Sequence, residues 1–165
     1  SADVLLTTGG ISVGQHDHVA PALESLGFAW GFHKIRLRPG KPTTFGRLGD
    51  CRVLALPGNP ASTYVAFELF ARPLLRRLGG HVHIDRPRRR LPLACSFRAE
   101  ATRDHYVRAR INQGRAEPLS TQLSGALTSL AAADVLLVLP AGSGEHPEGA
   151  EVDAIFLDPQ RTPTR

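Results

Sequence analysis

The chain has 165 residues, 42% of them hydrophobic, enough to pack one or two domains. Twenty basic residues against fifteen acidic ones leave a formal charge of +5, which favours anionic ligands without choosing between nucleic acid, nucleotide and inorganic oxyanion. No apolar run is long enough for a membrane span and no leader pattern is visible, so Cys51 and Cys95, too few for a disulfide framework, read as buried thiols of a cytosolic protein.

Ala2 to Thr7 is apolar enough for a central parallel strand. It opens into Thr8-Gly9-Gly10-Ile11-Ser12-Val13-Gly14, whose glycines let backbone amides approach a ligand. The loop is neither a Walker A loop nor a G-x-G-x-x-G fingerprint. His18 to Leu26 follows with a helical period, and Gly27 closes it. Strand, glycine loop, helix and strand predict a βαβ unit in a parallel sheet, where ligands bind beyond the carboxyl ends of the strands. Asp17 is either a helix cap or a ligand for a hard cation such as Mg²⁺. His16-Asp17-His18 makes an awkward transition-metal site, because alternate residues of an extended segment point opposite ways.

Lys34 to Arg38 alternates basic and apolar residues as a half-buried strand does, and Pro39-Gly40 stops it. Thr43 to Leu48 and Val53 to Leu56 predict two further strands around a Gly49-Asp50 turn. In Pro57-Gly58-Asn59-Pro60, Asn59 is an N-cap, Pro60 fits the first helical position and Gly58 permits an unusual backbone angle. The helix continues through Tyr64, Phe67, Phe70, Leu74 and Leu78. Its free amides, with Ser62 beside them and Arg38 and Lys41 after a strand end, predict an oxyanion or phosphate site. Among the twenty basic residues only Lys34 and Lys41 are lysines, and both lie in this stretch.

Residues 81–90 hold prolines and arginines and read as a linker. Arg86 to Arg90 lack interleaved aromatic residues, so a nucleic-acid surface is disfavoured there. From Leu91 the pattern is of short strands: Leu91 to Phe97, Tyr106 to Ile111, Val135 to Leu139 and Glu151 to Leu157. A turn at Asn112-Gln113-Gly114-Arg115 and a glycine-rich loop from Ala141 to Gly149 join some of them. Ser124 to Ala133 is a short helix or a loop, and 159–165 a frayed tail. This spacing predicts a small barrel or sandwich, with Arg108 and Arg110 on the wet face of their strand.

Taken together, G-G-I-S-V-G-Q-H-D, R-P-G-K-P, L-P-G-N-P-A-S and S-G-A-L-T-S-L-A-A-A-D resemble, in this order, the MoeA-type molybdopterin molybdenumtransferases, relatives of the gephyrin E domain. The resemblance implies that residues 1–80 are the second half of an α/β module with a parallel sheet, and that 91–158 are a C-terminal β-barrel domain. With no methionine and a strand beginning by Asp3 or Val4, it also implies a piece of a longer protein, inactive alone. The family's reaction inserts molybdenum from molybdate into adenylylated molybdopterin, releasing AMP in a Mg²⁺-dependent step. Its members are cytosolic homodimers, and the module is shared with an adenylyltransferase partner.

Carried over by residue, the resemblance assigns Asp17 to Mg²⁺ and the nucleotide, in place of capping. It assigns Gly9, Gly10 and Ser12, with Gly58 and Asn59, to the pterin nucleotide, and Lys34 to the substrate cleft. Arg38, Lys41, Pro42, Ser62, Arg108 and Ser124 match positions lining a molybdate pocket, with Asp17, Lys34 and Arg38 the catalytic set. Two positions depart from the family: Arg38 replaces a usual lysine and Gln15 a common acidic residue. The rival expectation is a non-catalytic scaffold or anion-binding module of the same fold.

Overall fold

A computed structural model describes residues 2–11, 17–122 and 127–157. Ser12, Gln15, His16, Ser124 and the tail from 159 lie outside the described residues. The chain divides into two compact units, Ser1–Ile35 with Pro39–Ile84, and Arg36–Arg38 with Asp85–Arg165.

In chain order the first stretch forms β1 (Val4–Thr8), α1 (Val19–Ser25), β2 (Ala29–His33), β3 (Leu37–Arg38), β4 (Thr44–Leu48), β5 (Cys51–Leu56) and α2 (Pro60–Ala66). A π-helical turn (Phe67–Ala71) and α3 (Arg72–Leu78) complete it, and β3 alone belongs to the second unit. The first unit's sheet runs β1-β5-β4-β2. Only β1 and β5 pair in parallel, Val4 opposite Arg52 through Thr8 opposite Leu56; the other two pairings are antiparallel. The sheet has the expected parallel pairing at β1 and β5 and is antiparallel at β4, because the two-residue Gly49-Asp50 connection can only join antiparallel neighbours. However, β1 is not central: it is an edge strand, with Leu5 39% exposed.

Alternation along β5 feeds both faces of this sheet. Val53 packs with Leu23 of α1 and Phe28 on one side. Leu54 and Leu56 pack with Ala66 and Ala71 of the helical run on the other. Helices on both faces make three layers. In the helical run Pro73 has no N–H to offer the carbonyl four residues back, and the chain widens just before it. There Arg72 N–H donates to Phe67 O, five residues back. An open depression of about 220 Å³ lies among Phe32, Phe45, Leu54, Leu69, Phe70 and Leu74. Its apolar lining is unsuited to an oxyanion.

The strand expected over Lys34–Arg38 is displaced. β2 ends at His33, Lys34 turns the chain with φ 59°, and only Leu37 and Arg38 are extended.

The second unit adds β6 (Arg88–Pro92), β7 (Phe97–Arg98), β8 (Asp104–Asn112), β9 (Arg115–Pro118), α4 (Leu127–Ala131), β10 (Val135–Leu139), β11 (Glu145–His146) and β12 (Glu151–Phe156). Arg88 to Arg90, expected in the linker, are ladder residues of β6 opposite Ile155, Ala154 and Asp153. Antiparallel pairing runs β8-β10-β12-β6. The other edge of β8 holds β3, in parallel, and β9. Past β6 a single bridge, Leu93 opposite Ala116, links the far end back to β9, with Ala94 N–H donating to Ala116 O at 2.8 Å. Among the described residues this bridge, and not a continuous ladder, is what joins the two ends of the expected barrel. Val107, Ala109, Leu137, Val152 and Phe156 are fully or nearly buried in this unit's core. The β8–β9 turn uses Gln113 (φ 48°) and Gly114 (φ 75°), the positive-φ pair a two-residue hairpin requires.

The cysteines differ from expectation: Cys51 is half-buried, Cys95 is exposed and both are free thiols. Among the described residues no helix is long and apolar enough to cross a membrane.

Candidate functional site

In the first unit, parallel pairing of β1 with β5 brings both carboxyl ends side by side, and Gly9 N–H extends the ladder by donating to Leu56 O at 3.0 Å. The glycine loop and the Pro57–Asn59 loop therefore meet. A Cβ on Gly58 would lie 3.1 Å from Gly9 Cα, so glycine is favoured there by this close approach and not, as expected, by an unusual φ. Gly9 and Gly10 do take positive φ, 82° and 68°, and a Cβ on Gly10 would meet Val19 Cγ2 at 2.6 Å. Gly10 O accepts from Val19 N–H at 3.0 Å, which fastens the loop to the start of α1.

The helix entrance at Asn59 forms as its residues predict. Asn59 is extended, its Oδ1 accepts from Ser62 N–H at 3.4 Å, and Pro60 occupies the first turn. Ser62 is 8% exposed. Thr63 Oγ1 donates to Asn59 O at 2.9 Å and to Pro57 O, bracing the loop from inside the helix.

The two lysines of the chain also come together. Ile35 N–H donates to Lys41 O at 2.9 Å, so Lys34 and Lys41 stand at the two feet of the excursion that carries β3. Both side chains are exposed and Pro42 is half-buried. Thr43, fully buried, braces the second foot by donating through Oγ1 to Gly40 O at 2.7 Å.

Asp17 does not cap α1: the N-cap is His18, whose side chain makes no capping bond. No group of three or more His, Cys, Asp or Glu side chains able to hold a metal ion occurs among the described residues. Asp17 itself is half-buried.

In the second unit Arg38 stands opposite His105 in the β3–β8 pairing. Asp104 N–H donates to Arg36 O at 3.0 Å, and Leu37 is buried beneath. His105 shares the face of Val107 and Ala109, whereas Arg108 leaves from the opposite face, so β8 does not put Arg38 and Arg108 on one side. Arg108 is not on a wet face. It is 1% exposed, while Arg110 is exposed and pairs with Glu117 at 3.0 Å. Arg108 Nε donates to Gln122 Oε1 at 3.4 Å and Nη2 to Thr121 O at 3.4 Å. Burial lowers its pKa from the ordinary arginine value.

His105 and Gln122 were not singled out from the sequence. His105 carried a signal, a titratable residue at an inward position of an alternating strand; Gln122 carried none.

Burial, followed by the Arg38 guanidinium, lowers the His105 imidazole to about 4. Between its ordinary 6.5 and about 4 the unfolded chain binds more protons here than the folded one. The contribution of the neutral ring to stability is thus complete above that window and is lost as pH falls through it. His105→Phe, which retains packing near Phe97, is expected to flatten this part of a plot of denaturation midpoint against pH. An unaltered slope would assign the effect to other groups.

Two family profiles match the chain, a probable molybdopterin binding domain over residues 1–77 and the MoeA C-terminal region (domain IV) over residues 90–157. A three-layer unit with paired glycine loops at its strand ends, followed by a β unit, thus belongs to the molybdopterin-binding class. More narrowly, the chain is a member of the MoeA-type molybdopterin molybdenumtransferase and gephyrin family. It is 40% identical over 157 residues to a molybdopterin molybdenumtransferase of Synechococcus elongatus, covering 93% of this chain and 38% of the relative. Against the Bacillus subtilis molybdopterin molybdenumtransferase it is 32% identical, covering 94% of this chain and 37% of the relative. The crystal structure of a molybdopterin biosynthesis MoeA protein from Pyrococcus horikosii superposes with a TM-score of 0.79 at 29% identity, covering 94% of this chain and 37% of that one. The chain thus spans little more than a third of these relatives.

Proposed function

We propose that the chain takes part in molybdenum cofactor biosynthesis, as part of an enzyme that inserts molybdenum from molybdate into adenylylated molybdopterin and releases AMP. The observation that carries this reading is the meeting of Gly9 with Gly58 at the carboxyl ends of β1 and β5, beside the start of α2. Backbone without side chains at that point admits a nucleotide phosphate close to free amides. In this reading Gly9, Gly10, Ser12, Gly58 and Asn59 hold the pterin nucleotide, and Lys34 contacts the substrate.

Molybdate is a compact dianion and needs fixed positive charge and hydroxyl donors. Of its proposed ligands, Lys41, Pro42 and Ser62 lie in the first unit and Arg108 and Ser124 in the second; Arg38 faces away from Arg108 across β8 and is not among them. Asp17, together with substrate phosphates, would hold Mg²⁺, which supplies neutralisation of the charge developing on the leaving phosphate. No side-chain nucleophile is needed: an oxygen of water or molybdate attacks a phosphorus of the anhydride, the P–O–P bond between AMP and the pterin phosphate breaks, the proton of an attacking water passes to solvent, and positioning and electrostatics lower the barrier. The working form is taken to be a cytoplasmic homodimer, with an adenylyltransferase as supplier of its substrate.

The test is AMP release from adenylylated molybdopterin by the full-length protein, with and without molybdate. Release should depend on molybdate, and Asp17→Asn should reduce it about a hundredfold. Release indifferent to molybdate, or untouched by Asp17→Asn, rejects the reading.

A further inference from the structure

The free edge of β8 is served twice, by β3 opposite Asp104 and His105 and by β9 from Ala109 to Asn112. Between them lies Arg108, whose carbonyl accepts from Leu119 N–H at 2.9 Å and whose own N–H is met by a side chain. Gln122 Oε1 accepts from Arg108 N–H at 3.2 Å, and Gln122 Nε2 donates to Arg108 O at 2.8 Å. One carboxamide thus gives the Arg108 N–H its acceptor and the Arg108 carbonyl a second donor beside Leu119 N–H. The same Oε1 accepts from Arg108 Nε at 3.4 Å, and the same Nε2 donates to Leu119 O at 2.9 Å.

We propose that Gln122 is a positioning residue for oxyanion binding: its carboxamide locks the backbone and the guanidinium stem of Arg108 together, aiming the guanidinium without cancelling its charge. The inference rests on the reading of Arg108 as a molybdate ligand. The choice of side chain follows from the four bonds. A carboxylate of the same shape has no hydrogens for the carbonyls of Arg108 and Leu119, and it places a negative charge against the guanidinium, in competition with the dianion. A thioether of similar length satisfies none of the four groups. An amide satisfies all four and stays neutral.

The experiment uses the full-length protein, with tungstate binding by calorimetry and the molybdate dependence of AMP release as readouts, and thermal melting as the check on folding. Gln122→Glu is expected to raise the tungstate Kd and the KM for molybdate about tenfold, with a smaller change in kcat. Gln122→Met, which adds no charge, should raise both less, and it stands in if Gln122→Glu fails to fold. A purely structural glutamine would shift the melting temperature and leave the KM alone. If Arg108→Ala weakens tungstate binding while folded Gln122→Glu and Gln122→Met stay within about twofold of the parent, the positioning role is wrong and Arg108 remains a ligand. If Arg108→Ala itself leaves tungstate binding unchanged, the reading of Arg108 falls and the inference falls with it.

Discussion

Arg108→Ala, made in the full-length protein, is expected to lower molybdate-dependent AMP release by roughly a hundredfold to a thousandfold, the usual cost of removing one preorganised donor to a developing or bound oxyanion. The expectation comes from burial. An exposed arginine is screened and mobile, so its loss costs little. Arg108 is 1% exposed and held through Nε, Nη2 and its own backbone. Its charge therefore acts through low-dielectric surroundings from a fixed place. Arg108→Lys should recover only part of the loss, because an ammonium cannot reproduce a planar fork braced at two points. Retention of the parent rate by Arg108→Ala would show that the buried guanidinium is a packing device.

The second large effect concerns folding. Gly46→Ala is expected to destabilise the protein by about 3 kcal/mol, at the upper end of overpacking costs. The added methyl would sit 2.2 Å from Phe28 Cζ and 2.4 Å from Ala29 O. The phenyl ring can rotate only into the cluster it forms with Leu23 and Val53. The Ala29 carbonyl belongs to β2, whose pairing with β4 is already irregular between Trp30 and Phe32. Phe28 can yield only by disturbing that cluster, and Ala29 only by disturbing the β2–β4 pairing. Equilibrium denaturation measures this directly: the midpoint should fall with little change in the denaturant dependence. By contrast, Gly49→Ala meets nothing within 4 Å and bears only the strain of φ 59°, so it should cost less, about 1 kcal/mol.

Local chemistry was readable wherever neighbours in the chain suffice. Asn59-Pro60 forms its cap because the acceptor and the amide it serves are three residues apart. Gln113-Gly114 forms its turn because two consecutive residues carry the required φ. Val135 to Leu139 forms its strand because a run of branched apolar side chains has little alternative. The misreadings have a common origin too. Lys34 to Arg38 has the alternation of a strand, yet Lys34 takes a left-handed turn and the two residues that do extend join another unit's sheet. Arg108 and Arg110 have identical local patterns; one is buried and the other is wet. Thr121 and Gln122 bond to the first, whereas Glu117 pairs with the second.

The amino-acid order by itself determined the family, the helix entrance at Asn59 and the turn at Gln113-Gly114, since caps, turns and motif spacings are relations between near neighbours in the chain. Tertiary structure alone decided that Gly58 touches Gly9, that the two lysines share the foot of one loop, and that Gln122 occupies the gap beside Arg108. Each of these is a contact between distant segments, set by which strand edges are left to be filled once the hydrophobic faces have been covered.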